Sequence, residues 1–238
     1  MGSVRGVTRK RRIPPWGTVS RMGTAARRSK NQAREHAAHW ARAQTGALTY
    51  VALGDSVGVG VGVDDPEHGY VGTIAQRLAV TTGKTVRTVN LSVSGAKAQD
   101  VLETQIPELS VITPPDFVTC AIGGNDVAWT SFFRGHDFAR TIHAIAGRLP
   151  ENSVMGLVPC FVHWPYEARA RKANLAIRAA AGASGHAVAD IHGATKKLSL
   201  PSYLRMFADD YFHPNETGHQ VWADAIWERL ILDGSAVH

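Results

Sequence analysis

Two short segments of this 238-residue chain carry the residue types of nucleophilic acyl transfer. Gly54-Asp55-Ser56-Val57-Gly58-Val59-Gly60 sets a serine among glycines directly after an apolar run. A hydroxyl projecting from such a tight, uncrowded turn can meet an acyl group. The backbone N–H groups that follow it point toward developing negative charge. Near the other end stands Ala208-Asp209-Asp210-Tyr211-Phe212-His213-Pro214-Asn215. Residues three apart share one side of a helical turn, so Asp210 can hold one imidazole nitrogen of His213 and leave the other for a serine. A carboxylate placed so fixes the tautomer and stabilises the imidazolium formed during attack. Asp209, four residues before His213, is the rival for that role.

Two further segments offer donors. Asn90-Leu91-Ser92-Val93-Ser94-Gly95-Ala96 places a glycine whose N–H a ligand can approach closely. Ile122-Gly123-Gly124-Asn125-Asp126 supplies, at Asn125, an amide that cannot ionise and can be aimed at an oxyanion. Each segment taken singly also reads as a plain strand-to-loop turn, and the glycine-rich turn at Ser56 also reads as a phosphate loop. A dinucleotide fingerprint, however, needs glycine where Val63 stands and an acid closing the second strand, where the chain has Asn90-Leu91-Ser92. A P-loop needs glycine, four intervening residues and Gly-Lys-Ser/Thr, and that full pattern does not occur. A nucleotide- or flavin-binding module of flavodoxin-like fold stays as the alternative to an enzyme.

The elements that must position these residues follow from periodicity. Short β-branched runs at Leu48–Leu53, Thr85–Leu91, Asp116–Ile122, Ser153–Val158 and His186–Ile191 alternate with helical patterns. The helices fall near Tyr70–Thr81, Ala98–Leu109, Phe138–Arg148 and Pro165–Ala181, and a last one follows Pro214, which suits a first helical position. Near-continuous apolar strands, each followed by a helix, imply a parallel sheet covered on both faces. Right-handed crossovers make it a three-layer α/β/α sandwich with a central five-stranded parallel sheet. Ligands in such sheets lie beyond the carboxyl ends of the strands. The serine, glycine and asparagine all fall there.

The four segments together resemble the sequence blocks of the SGNH (GDSL-type) hydrolase family. Gly54–Gly60 resembles the block that carries the nucleophile, here Ser56. The segment with Gly95, the segment Gly123-Gly124-Asn125-Asp126 and the segment Asp210–His213 resemble three further blocks, in the family's order. The resemblance runs from Leu53 to about Gly218. It implies an ester hydrolase with Ser56, Asp210 and His213 as triad and Ser56 N–H, Gly95 N–H and Asn125 as oxyanion hole. It implies no metal and no organic cofactor, and a small-molecule, lipid or carbohydrate ester as substrate.

Residues 1–45 lie outside that resemblance. They carry eleven Lys/Arg and the single acid Glu35, a net charge of +10, whereas residues 46–238 carry a net −4. The chain thus divides into a basic N-terminal extension, 1–45, and a hydrolase domain, 46–238. A solvated arm is one reading of the extension, and contact with an anionic surface is another; the hydrolase itself needs no nucleic acid. Residues 1–22 lack periodicity, while Thr24–Ala43 can form a helix that docks Trp40 on the body and ends before Gly46. No apolar stretch makes a secretory signal or a membrane span, so a cytoplasmic location is expected. Cys120 and Cys160 read as small buried hydrophobes. Asp55 and Asp126 read as acceptors shaping their turns, and His219 as a packing or surface histidine. His163 and Trp164 could line the pocket or sit on a surface loop. Trp129, Phe132, Phe133 and the Tyr203–Phe207 segment are candidates for an acyl-binding wall.

Overall fold

The computed structural model describes residues 16–232 other than 113. Five strands, β1 (Leu48–Gly54), β2 (Val86–Asn90), β3 (Phe117–Ala121), β4 (Val154–Gly156) and β5 (Ala187–Ala189), form one sheet in the order β2-β1-β3-β4-β5. Every neighbouring pair is parallel. The five strands expected from periodicity are all present. β4 and β5 are shorter than expected at both ends, and Ile191 opens a helix instead of closing a strand.

β1 shows why the sheet needs two covering layers. Val51 and Leu53 point into one core, with Val118, Cys120, Phe138, Ile142, Met155 and Ile177. Tyr50 and Ala52 point into the other, with Ile74, Leu78, Trp222 and Ile226. Side chains alternate across a strand, so a central strand buried at every position but Thr49 packs on both faces. The first layer holds α4 (Ala98–Asp100), α5 (Ile106–Ser110), α7 (Gly135–Ala146) and α8 (Tyr166–Ser184). The second holds α1 (Trp16–Trp40), α3 (Tyr70–Thr82), α9 (Ile191–Lys196) and α11 (Glu216–Leu232).

The short helices α2 (Ser56–Val59), α6 (Gly124–Ala128), α9 and α10 (Leu200–Leu204) went unseen in the sequence because elements of one or two turns carry too little period. The helix expected over Ala98–Leu109 is broken by a π-turn at Val101–Gln105. It falls just before Pro107, whose missing N–H interrupts the ladder. Pro214 does not open the last helix. Asn215 caps it, its Oδ1 accepting from Gly218 N–H at 3.2 Å, while Pro214 pairs with Phe207 in an isolated bridge.

At the N-terminus, α1 begins at Trp16, earlier than composition suggested, and ends at Trp40, before Gly46. Once a helix is nucleated each added residue gains a hydrogen bond, so its start extends past the amphipathic part. Residues 1–15 lie outside the described residues. Trp40 is buried, and its indole N–H donates to the Val59 carbonyl at 3.0 Å. No helix among the described residues is long and apolar enough to cross a membrane.

Candidate active site

The sheet order reverses between β1 and β3, and the crevice beyond their carboxyl ends is where open α/β sheets place ligands. β1 runs into Asp55, which caps α2: its Oδ1 accepts from Val57 N–H at 3.0 Å. Ser56 is thereby the first residue of a helical turn, where a backbone N–H has no intrahelical acceptor. The strand end is held from below by Gln105, buried between layers. Its Oε1 accepts from Gly54 N–H at 2.9 Å and its Nε2 donates to Gly54 O at 2.8 Å. Gly58 is required by contact, because a Cβ there would stand 2.2 Å from the Ser92 hydroxyl.

The His213 loop arrives from the far end of the chain. Asp210 Oδ1 accepts from the backbone N–H groups of Phe212 and His213, both at 2.9 Å, closing the loop on itself. Its Oδ2 lies 2.6 Å from His213 Nδ1, and His213 Nε2 lies 2.9 Å from Ser56 Oγ. Tyr211, between them, takes φ of 55°, a left-handed turn that brings the carboxylate under the ring. Asp209 takes no part: it is 81% exposed and meets Arg28 at 3.3 Å. The three sequence-selected residues Ser56, Asp210 and His213 therefore come together in one hydrogen-bonded line. Such a line can draw the proton from a serine hydroxyl and store it on an imidazole.

The two acids beside this line behave oppositely. Burial pushes the Asp210 carboxyl up, but hydrogen bonds from His213 and Ser29 and the His213 charge outweigh it and hold it well below the usual carboxylate range. Asp55 is buried with fewer partners, and burial raises it to about 6.

Asn125 is 5% exposed, and one of its amide hydrogens goes to Ala96 O at 2.9 Å. That bond, and Asp126 accepting from Ala98 N–H at 3.0 Å, join the loops after β2 and β3. Asp126, expected to shape its own turn, instead reaches across to the neighbouring segment. Gly95 takes φ of 86°, with no atom within 4 Å of where a Cβ would stand. Its neighbour Ser94 lines the cleft over His213, while Asn125 and Ser56 line a narrow apolar slot.

That slot, about 60 Å³, runs beneath Ser56 between Phe161, Tyr203, Met206 and Phe207. A wider cleft of about 350 Å³ opens on the other side of His213, between Ala26, Ser29, Lys30, Trp129 and Phe212. The proposed aromatic wall divides accordingly. Tyr203 and Phe207 border the slot, and Trp129 packs on Phe212 in the cleft, 5.2 Å between ring centres. Phe133 packs on Phe138 in the core, and Phe132 is exposed. His163 and Trp164 are both exposed on the loop after β4, away from slot and cleft.

His219 is wholly buried in the layer beneath the Ser56 turn. Its Nδ1 accepts from Tyr70 N–H and its Nε2 donates to Val61 O, both at 3.2 Å, so the ring is a neutral strut. Burial lowers it to about 4. Cys120 and Cys160 are free and buried, with burial pushing their thiols up to about 12 and about 11. Cys160 stands with Glu167 and His192, their ligand atoms within 4.8 Å of one another. Glu167 there already accepts from Arg171 at 2.8 Å and from Phe161 N–H at 3.0 Å, an ion pair that neutralises the carboxylate a metal would need.

One contact had no signal in the sequence: Ser29 of α1 donates to Asp210 Oδ2 at 2.6 Å. A serine in an Ala/Arg-rich helix looks like any surface serine until the helix is docked.

Comparison with known proteins accounts for most of the chain. The model of the GDSL-like lipase/acylhydrolase family matches residues 52–221. The GDSL-like esterase Rv1075c of Mycobacterium tuberculosis is 27% identical over an alignment 209 positions long that covers 80% of this chain and 64% of that protein. The chain thus spans less than two thirds of that relative. Axe2, an acetylxylan esterase from Geobacillus stearothermophilus, superposes with a TM-score of 0.61 at 20% identity, over 78% of this chain and 94% of that one. A lipase/acylhydrolase from Enterococcus faecalis superposes with a TM-score of 0.62 at 18% identity, over 76% and 94%. At these identities the structural likeness is one of fold.

Proposed function

The chain belongs to the GDSL-like lipase/acylhydrolase family, and from that premise we propose that it hydrolyses carboxylic esters through an acyl-enzyme on Ser56. The observation that carries this reading is the double engagement of His213, 2.9 Å from Ser56 Oγ on one side and 2.6 Å from Asp210 on the other. His213 takes the hydroxyl proton as the Ser56 oxygen attacks the ester carbonyl. The oxyanion is held by the N–H groups of Ser56 and Gly95 and by the remaining Asn125 amide hydrogen. His213 then gives its proton to the departing alcohol. Water, deprotonated in turn by His213, releases the acid and restores the serine. The glycine-rich turn is thus read as a nucleophile turn, and the nucleotide- or flavin-binding alternative is not supported by a family of hydrolases.

The slot beside Ser56 supports a short acyl group, because its walls close at about 60 Å³. The cleft on the other side, open and lined by both Lys30 and aromatic rings, is suited to a larger alcohol portion. The substrate class we infer is therefore a small acyl ester of a bulkier alcohol, with residues 46–238 carrying the triad and the slot and the helix before them forming one wall of the cleft. Turnover of p-nitrophenyl esters from acetyl to decanoyl, by the wild type and Ser56→Ala, tests both parts. A Ser56→Ala rate lower by about 10³-fold or more supports the nucleophile. Equal activity of the two proteins would sink it, and a preference for long chains would sink the short-acyl reading alone.

A further inference from the structure

Helix α1 lies outside the residues matched to the family, yet it touches the proposed triad. It is fixed along its length to the loops that carry Ser56 and His213. Trp40 donates to Val59 O at 3.0 Å. Gln32 donates to Val63 O at 3.0 Å and accepts from Gly62 N–H at 3.3 Å. Arg28 reaches Asp64 at 2.8 Å and Asp209 at 3.3 Å. One helix therefore grips both loops, and between the Arg28 and Gln32 grips stands Ser29.

Ser29 has a single hydroxyl hydrogen and two acceptors in reach, Ala25 O at 3.2 Å and Asp210 Oδ2 at 2.6 Å. Bonding back to the carbonyl four residues earlier is what a helical serine does by default. The shorter, charge-assisted bond to a carboxylate is the stronger and takes the hydrogen. Asp210 Oδ2 is also the atom that faces His213 Nδ1. The hydroxyl and the imidazole thus share one oxygen, while the other Asp210 oxygen is held by two backbone N–H groups.

We propose that Ser29 is a positioning residue for the Asp210–His213 pair, so that the N-terminal helix is a working part of the active site. The inference rests on the ester-hydrolase reading above. Ser29 borders the cleft, but its one hydroxyl hydrogen goes to Asp210 and not to the substrate. It closes the last free direction of the carboxylate and divides its charge between hydroxyl and imidazole. The same helix supplies Ala26 and Lys30 as one wall of the cleft over His213. Other charged or titratable groups around the pair are Arg28 and Lys30 on α1, Asp209 on the same loop, Asp55 below Ser56 and His219 on α11. None of these replaces the hydroxyl, since Arg28 is engaged by Asp64 and Asp209.

The test is the pH profile of ester hydrolysis by Ser29→Ala and Ser29→Thr, with thermal stability followed in parallel. Ser29→Ala is expected to lower kcat about ten-fold, which corresponds to about 1.4 kcal/mol of barrier, with KM unchanged. The acid limb of kcat/KM moves to higher pH, because the undivided carboxylate charge holds the imidazole protonated longer. Ser29→Thr, which keeps the hydroxyl, returns both kcat and the limb to wild type. An unmoved limb overturns the proposal, whether kcat is wild-type or falls together with the melting temperature, as it would for a merely structural serine. Ser56→Ala, run beside them, separates the failures: if it stays active the ester-hydrolase reading itself has failed.

Discussion

The two carboxylates nearest the proposed nucleophile differ in how the protein treats charge. Asp210 is half-buried on a loop, bonded through both oxygens and faced by an imidazole, and its carboxyl lies far below the ordinary range. Asp55 sits one residue before Ser56 in the layer below, with one backbone N–H on its carboxylate, and burial lifts it to about 6. Beneath it the pattern continues: Tyr70 and Ser92 have buried hydroxyls with no bonding partner among the described residues, and His219 is held neutral. The upper region keeps charge and pairs it, while the lower region suppresses charge and packs. Distance in sequence to Ser56 is therefore a poor guide to chemical role, and solvation with partners is the better one.

The largest test of that contrast is Asp210→Asn. An amide leaves the loop folded but presents the wrong partner to His213, and kcat should fall by about 10³–10⁴-fold. Asp209→Asn should stay near wild type in the same assay, and a comparable loss there would reverse the assignment. Asn125→Ala removes one oxyanion donor and should cost about 10²–10³-fold in kcat with little change in KM. A rise in KM at constant kcat would make Asn125 a ground-state contact instead.

The lower region predicts stability rather than rate. His219 has its folded value lowered from 6.5 to about 4, so its contribution is present above pH 6.5 and is lost as pH falls toward 4. Asp55 has its folded value raised from 3.8 to about 6, so stability is greatest below pH 3.8 and is lost as pH rises through 6. Each shift of about two units corresponds to roughly 3 kcal/mol at most, and the two slopes oppose each other between pH 4 and 6. His219→Gln should therefore become more stable on acidification across that window. Asp55→Asn should do the reverse, with a gain of about 1–3 kcal/mol over wild type at pH 8 that disappears by pH 4. Chemical denaturation at pH 4, 6 and 8 reads both, and parallel slopes in the two variants would remove the distinction between the regions.

Much of the site was legible in the sequence because its parts sit where local rules are strong. Glycines flank Ser56 and precede Asn125, each follows an apolar run, and Asp210 and His213 are three residues apart, a spacing one turn can close. The five strands and their parallel order follow from apolar runs alternating with helical periods. What failed was local in another sense. β4 and β5 lost their ends because pairing, rather than propensity, terminates a strand. Pro214 yielded the helix start to Asn215 because the Asn215 side chain could accept Gly218 N–H.

The sequence by itself determined the chemistry on offer: a serine in a glycine turn, a histidine with a carboxylate one turn away, and an amide at a neighbouring strand end. Only the tertiary structure decided which groups meet. It chose Asp210 over Asp209, separated a narrow slot from a wide cleft, and brought Ser29 across 181 residues to the carboxylate. Such contacts depend on how layers dock, and docking is set by the sum of many weak burials that no single spacing in the chain records.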